Sequence, residues 1–141
     1  MGQERLLKLL SAAVDVRQNA YAPYSNYKVG AAILTEKGKI YTGANNEFAT
    51  YSETGHAEGN AIAKAISEGE AQDKRTFIKA IAVVHEGAAA SGPCGRCRQC
   101  IAEHADNALI VVATPKSEIT MVTSLVSLFP YAFTPRDLGI K

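Results

Sequence analysis

Gly55-His56-Ala57-Glu58 and Pro93-Cys94-Gly95-Arg96-Cys97 are the two stretches whose reading decides this chain. Each opens a segment of helical spacing. Behind the first, Ala57, Ala61, Ile62, Ala65 and Ile66 share one side of a helix predicted over 55–68. Behind the second, a helix is predicted over 94–104. Between them the apolar run 78–84 reads as a buried strand, and 109–113 reads as another. Strands alternating with helices imply crossover connections and a sheet covered on both faces.

The rest of the chain extends that pattern. Leu6, Leu7, Leu10, Ala13 and Val14 predict a first helix over 3–19, ended by the proline-containing loop 21–26. Residues 29–35 suit a strand, 36–39 a turn, and 40–43 the return strand of a hairpin. A short fifth strand over 119–122 leads into an irregular tail. The order α-β-β-α-β-α-β-β gives an α/β fold, a three-layer α/β/α sandwich with a mixed five-stranded sheet, in one domain over 1–141. The small residues of the second helix predict close packing on that sheet.

Both motifs fall where a loop enters a helix. Backbone N–H groups there are unpaired and the helix dipole is positive, which favours thiolates. Cys94 and Cys97, three apart, can converge on one face. Pro93 suits the first-turn region, and Gly95 lets backbone pass close to a metal. One imidazole, His56, and two thiolates make a donor set suited to Zn2+, with a fourth position left for water. Glu58 lies two residues past the histidine, so it can serve the same site only from the very start of the helix. Gly55 fits such a bend. Glu58 is then a proton carrier for the water and not a ligand. The competing reading is a closed structural zinc completed by Cys100; the alternative for Cys100 is a buried helical thiol. His85 and His104 read as a strand-end and a helix-end residue.

Bulk composition narrows the function classes. The 141 residues are 47% hydrophobic and 21% charged, with 15 basic and 14 acidic side chains and a net charge of +1. Such a balance gives no reason to expect nucleic acid or an anionic membrane as partner. No apolar run reaches the ~18 residues of a bilayer span. Three cysteines, all within 94–100 and with no signal-peptide pattern, suggest reduced thiols and a cytoplasmic protein.

With these residues in place, the chain resembles the small, single-domain cytidine deaminases. The H-x-E…P-C-x-x-C pattern is one recorded for zinc deaminases acting on bases. Residues 24–32 (YSNYKVGAA) are similar to that family's first strand, and 42–51 (TGANNEFATY) to its ribose-binding loop. Pro93-Cys94-Gly95-Arg96-Cys97-Arg98-Gln99 matches its cysteine motif residue for residue, and 133–138 (FTPRDL) resembles its C-terminal segment. The resemblance implies zinc-dependent hydrolytic deamination of cytidine or deoxycytidine, with ammonia released, in pyrimidine salvage. By position it implies that Asn45 and Glu47 bond the sugar 3′-hydroxyl, that Tyr27 stands where a family phenylalanine packs on the pyrimidine, and that Ala57 joins the substrate contacts. It implies that Phe133 reaches a neighbouring subunit's site in a homotetramer. Asn45 as a turn residue, and Tyr27 and Phe133 as core aromatics, are the plainer alternatives. The chain departs from the pattern at His56 (usually cysteine) and Gly59 (usually arginine). The two changes offset each other, because a neutral imidazole removes one negative charge and the need for a cation. Phe48 and Glu53-Thr54-Gly55 also depart, which leaves a modified cytosine or a nucleoside antibiotic as an alternative substrate; a nucleic-acid base or a non-enzymatic zinc module is a further alternative.

Overall fold

The computed structural model describes residues 1–87 and 91–141. Helix α1 (Gln3–Arg17) leads to the hairpin of β1 (Gly30–Thr35) and β2 (Ile40–Ala44). Then come α2 (Ala57–Ser67), β3 (Ile78–Val84), α3 (Gly95–His104), β4 (Leu109–Ala113) and β5 (Ile119–Ser124). The sheet runs β2-β1-β3-β4-β5, with β3 and β4 parallel and every other neighbouring pair antiparallel.

That order explains the layers. β2 and β3 are both antiparallel to β1, so they run in the same direction. The crossovers β2-α2-β3 and β3-α3-β4 both step the same way across the sheet. The right-handed rule for such crossovers therefore lands both helices on one face. α2 and α3 pack on each other there, and α1 packs on β1, β2 and β3. Side-chain alternation sorts the core accordingly. Ile33, Ile81, Val83 and Ile110 belong to the cluster with Ala61, Ile62 and Ile101 of α2 and α3. Ala32, Leu34, Ala80, Ala82 and Val84 belong to the cluster with Leu9, Leu10 and Ala13 of α1. The mixed five-stranded sandwich expected from the sequence is the fold observed.

The same topology positions a site. A crossover helix starts at the C-terminal end of its preceding strand. Since β2 and β3 are parallel to each other, α2 and α3 start at the same edge of the sheet. Gly43 in β2 brings α2 unusually near: a Cβ there would collide with Ala57 O and the Ala61 amide nitrogen.

The differences from the sequence reading lie at boundaries. α1 stops at Arg17, and its deepest residues are Leu9, Leu10 and Ala13, while Leu7 is exposed. α2 begins at Ala57 and α3 at Gly95, with His56 and Cys94 as their N-caps. Pro93 thus precedes the cap instead of sitting in the first turn; it is buried, and its carbonyl accepts from Arg98 Nε at 2.7 Å. Ile66 is exposed. β5 continues to Ser124, and the tail is not wholly irregular: a short helix, α4 (Leu125–Leu128), and a 3₁₀ turn (Pro135–Leu138) follow. Thr134 and Asp137 form a capping box on that turn, and Gly139 closes it at φ 77°.

Candidate active site

At the edge where α2 and α3 begin lies a cleft of about 370 Å³. Four stretches wall it: Tyr27 and Val29 before β1, Asn45 and Glu47 after β2, residues 56–58 opening α2, and His85 after β3. Cys94 adds the α3 side. Short bridges hold these stretches in place. Asn46 pairs with Tyr21 on one side and Gly55 on the other, and Asn60 Nδ2 donates to Ala44 O at 2.8 Å and Asn46 Oδ1 at 2.7 Å.

His56 and Cys94 have extended backbone (φ −80°, ψ 152° and φ −65°, ψ 168°), and neither side chain caps its own helix. Both turn inward. His56 Nδ1 lies 3.3 Å from the sulfurs of both Cys94 and Cys97. The three donor atoms lie within 4.8 Å of one another, and among the described residues no other group of three or more such ligands is found. Tetrahedral zinc with bonds of about 2.0–2.1 Å to nitrogen and 2.3 Å to sulfur sets N and S roughly 3.6 Å apart. The donor set and its spacing therefore fit the ion after a small expansion. Cys100 lies outside the cluster, half-buried against the α2–α3 core rather than fully buried.

Electrostatics here differ from the sequence reading. Burial first, then the charges of Glu58 and Cys94, push the Cys97 thiol far above the usual range. The helix start does not by itself make this sulfur a thiolate. A divalent cation in the cluster reverses the local balance. Burial also raises Cys100. Glu58 sits in the first turn of α2, 5% exposed, and lines the cleft. It stands two residues after the donor His56 in the chain.

Asn45 is 8% exposed and tied to backbone: Val29 N–H donates to its Oδ1 at 2.8 Å, and its Nδ2 donates to Tyr27 O at 2.9 Å. One N–H and one lone pair remain. Glu47 Oε1 accepts the N–H groups of Tyr24 (3.0 Å) and Ser25 (3.1 Å), while Oε2 accepts the Ser25 hydroxyl. That hydroxyl is the chief reason its carboxyl is held below the ordinary range. Ala57 is 1% exposed and lines the cleft. Phe133 does not enter the cleft of its own chain. It is exposed in the tail, its carbonyl accepting from Gln99 Nε2 at 2.9 Å. His104 ends α3 and meets Arg75 O.

The sequence reading takes His85 as a strand-end residue and Thr54 as a departure from the family pattern, and names neither as a site residue; both line the cleft. A signal for His85 existed: it directly follows β3, and ligands in α/β sheets gather at the carboxyl ends of strands.

Known proteins are similar to this chain in sequence and fold. A family model described as the cytidine and deoxycytidylate deaminase zinc-binding region matches residues 3–113. A cytidine deaminase of Sporosarcina psychrophila is 42% identical over 132 residues, 94% of this chain and 93% of the relative. A probable cytidine deaminase of Dictyostelium discoideum is 39% identical over 141 residues, 100% of this chain and 92% of the relative. The crystal structure of a cytidine deaminase from Burkholderia pseudomallei superposes with a TM-score of 0.82 at 38% identity, covering 94% of this chain and 100% of that one.

Proposed function

This chain belongs to the cytidine and deoxycytidylate deaminase zinc-binding family, and from that premise we propose that it hydrolyses the exocyclic amine of cytidine or deoxycytidine to give the uracil nucleoside and ammonia. His56, Cys94 and Cys97 would hold Zn2+, and the meeting of these three donors at the cleft that His56, Glu58 and Cys94 line is the observation that carries the reading. When bound, zinc supplies Lewis-acid activation that makes water nucleophilic at neutral pH.

Glu58 moves the protons. Its carboxylate takes one from the attacking water and gives it to the ring nitrogen beside the reacting carbon. It then takes the remaining proton from the added hydroxyl, as the carbonyl forms and the C–N bond breaks, and delivers it to the departing amine. One group serving as base and then acid contributes about 10²–10⁴ in rate. Its burial suits that role, because a carboxylate shielded from bulk solvent passes its proton to the substrate instead of losing it to water.

Asn45 and Glu47 would bond a sugar hydroxyl. Each has spare capacity, and each is already fixed by other bonds, so little ordering is required when substrate arrives. Tyr27 and Ala57 would contact the base. The near-neutral charge favours a free nucleoside over a nucleic-acid strand. We take the chain as one domain acting as a homotetramer in the cytoplasm, within pyrimidine salvage. Three free cysteines support a reducing compartment, and exposed Tyr51, Tyr131, Phe133 and Leu138 support self-association. Among the described residues no helix is long and apolar enough to cross a membrane.

Zinc-loaded protein incubated with cytidine and with deoxycytidine tests this directly, followed by ultraviolet absorbance and released ammonia. Turnover is expected with at least one, and Glu58→Gln is expected to keep metal and fold while losing about 10²–10⁴ in kcat. Absence of turnover with both nucleosides overturns the substrate assignment. An active Glu58→Gln enzyme removes Glu58 from the proton path.

A further inference from the structure

We infer that His85 is a positioning residue for substrate binding: it locks the ring of Tyr27 as one wall of the cleft. This rests on the reading of the cleft as a nucleoside site. His85 directly follows β3, is 8% exposed, and lines the cleft beside Tyr27. Its backbone N–H continues the sheet by donating to Ala113 O at 3.2 Å.

The bonds around the imidazole define its state. Gly87 N–H can only donate, and it points at His85 Nδ1 from 2.9 Å. Nδ1 is therefore an acceptor, and the ring proton sits on Nε2, which donates to Ser91 O at 3.0 Å. It follows that in the 2.7 Å contact between Tyr27 and Nδ1 the tyrosine hydroxyl donates to Nδ1, sharing its single lone pair with the Gly87 N–H. With both nitrogens engaged, the imidazole has nothing to offer a proton transfer or a metal. Its capacity goes into holding neighbours.

Tyr27 needs holding. It is 44% exposed, on an irregular segment ahead of β1. Its main chain is anchored twice, by the Ser25 hydroxyl (3.0 Å to its N–H) and by Asn45 Nδ2 (2.9 Å to its carbonyl). Among the described residues, only His85 bonds the far end of the ring. A wall fixed before substrate arrives loses no rotamer freedom on binding, and preorganisation of this kind appears as a lower KM. Gly87 covers the pair: a Cβ there would lie 2.6 Å from the His85 ring and 3.0 Å from the Tyr27 oxygen. The absence of a side chain at Gly87 is what leaves room for the pair.

Steady-state kinetics with cytidine on zinc-loaded protein provide the test. His85→Leu and Tyr27→Phe are each expected to raise KM about three- to tenfold with kcat within about twofold, the range for one lost hydrogen bond. The double variant is expected to be no worse than His85→Leu alone, since the bond to Tyr27 is already gone in that variant. His85→Asn, which keeps an acceptor near the Nδ1 position, is expected to recover most of the affinity. Tyr27→Phe keeps the ring and its packing, so it remains informative if His85→Leu folds poorly. An unchanged KM in Tyr27→Phe, multiplicative effects in the double variant, a loss in kcat instead of KM, or no recovery in His85→Asn each overturns the role of His85 while leaving the deaminase reading intact. Wild-type protein inactive on cytidine and deoxycytidine overturns both together.

Discussion

Glu47 shows how much a single carboxylate can organise. It gathers two backbone N–H groups and a hydroxyl from Tyr24 and Ser25, closing the turn that carries Tyr27 toward the cleft. These bonds favour the ionised form, so the folded pKa lies below the reference 4.5. A group depressed in this way stabilises the fold above its unfolded pKa, and the contribution fades as pH falls through the folded value. Glu47→Gln is accordingly expected to lower unfolding stability at pH 7, with the deficit shrinking as pH drops below about 4.5. Denaturant unfolding of both proteins from pH 7 to 3 measures it; a deficit constant across that range would show that ionisation is not what holds the turn. At this scale the sequence was a partial guide. His56, Cys94 and Cys97 drew attention because few residue types bind soft metals, and their spacing falls at helix starts. His85 did not, because its partners Tyr27, Gly87 and Ser91 come from two segments that only the fold brings together.

Elements were legible where one face is buried and periodicity records it. β1 and β3 read as apolar runs because α1 covers one face and α2 with α3 the other. The tail carries no such record. β5 is mostly exposed or half-exposed, and the helix after it has four residues, too few to repeat a pattern. The approach of α2 to β2 is likewise invisible in a hydrophobic pattern, because it rests on a missing side chain at Gly43. An added methyl there meets backbone of Ala57 and Ala61, which cannot rotate away. Gly43→Ala is expected to destabilise the fold by about 1–3 kcal/mol, the usual cost of overpacking. It should also weaken zinc retention, since the displaced turn of α2 begins beside His56. Denaturant melts together with metal analysis after dialysis check both. A variant that loses stability but retains full zinc would mean that the ligand position is set by the Asn46–Gly55 bridge alone.

For the whole molecule, the question is whether one copy contains a finished site. The cleft draws its walls from segments between Ser25 and Cys94, and nothing from the tail reaches it. Yet the tail carries the fully exposed Tyr131 and the exposed Phe133 and Leu138, and exposed Tyr51 stands near the mouth. Apolar groups so placed are stabilised by burial against another copy. If Phe133 closes a neighbour's cleft, Phe133→Ala is expected to raise KM by up to about tenfold, the scale of one aromatic contact. Subunit mixing then separates the two geometries. Phe133→Ala chains keep Glu58 and lack the aromatic; Glu58→Gln chains keep the aromatic and lack the proton carrier. Hybrid assemblies would contain clefts in which a Glu58 from one chain meets a Phe133 from the other. After co-refolding, low-KM turnover is expected to reappear in the mixture, alongside a sedimentation mass of about four protomers. If Phe133 instead served its own chain, no cleft in the mixture would hold both groups, and the mixture would show only the weak-binding activity of the Phe133→Ala parent.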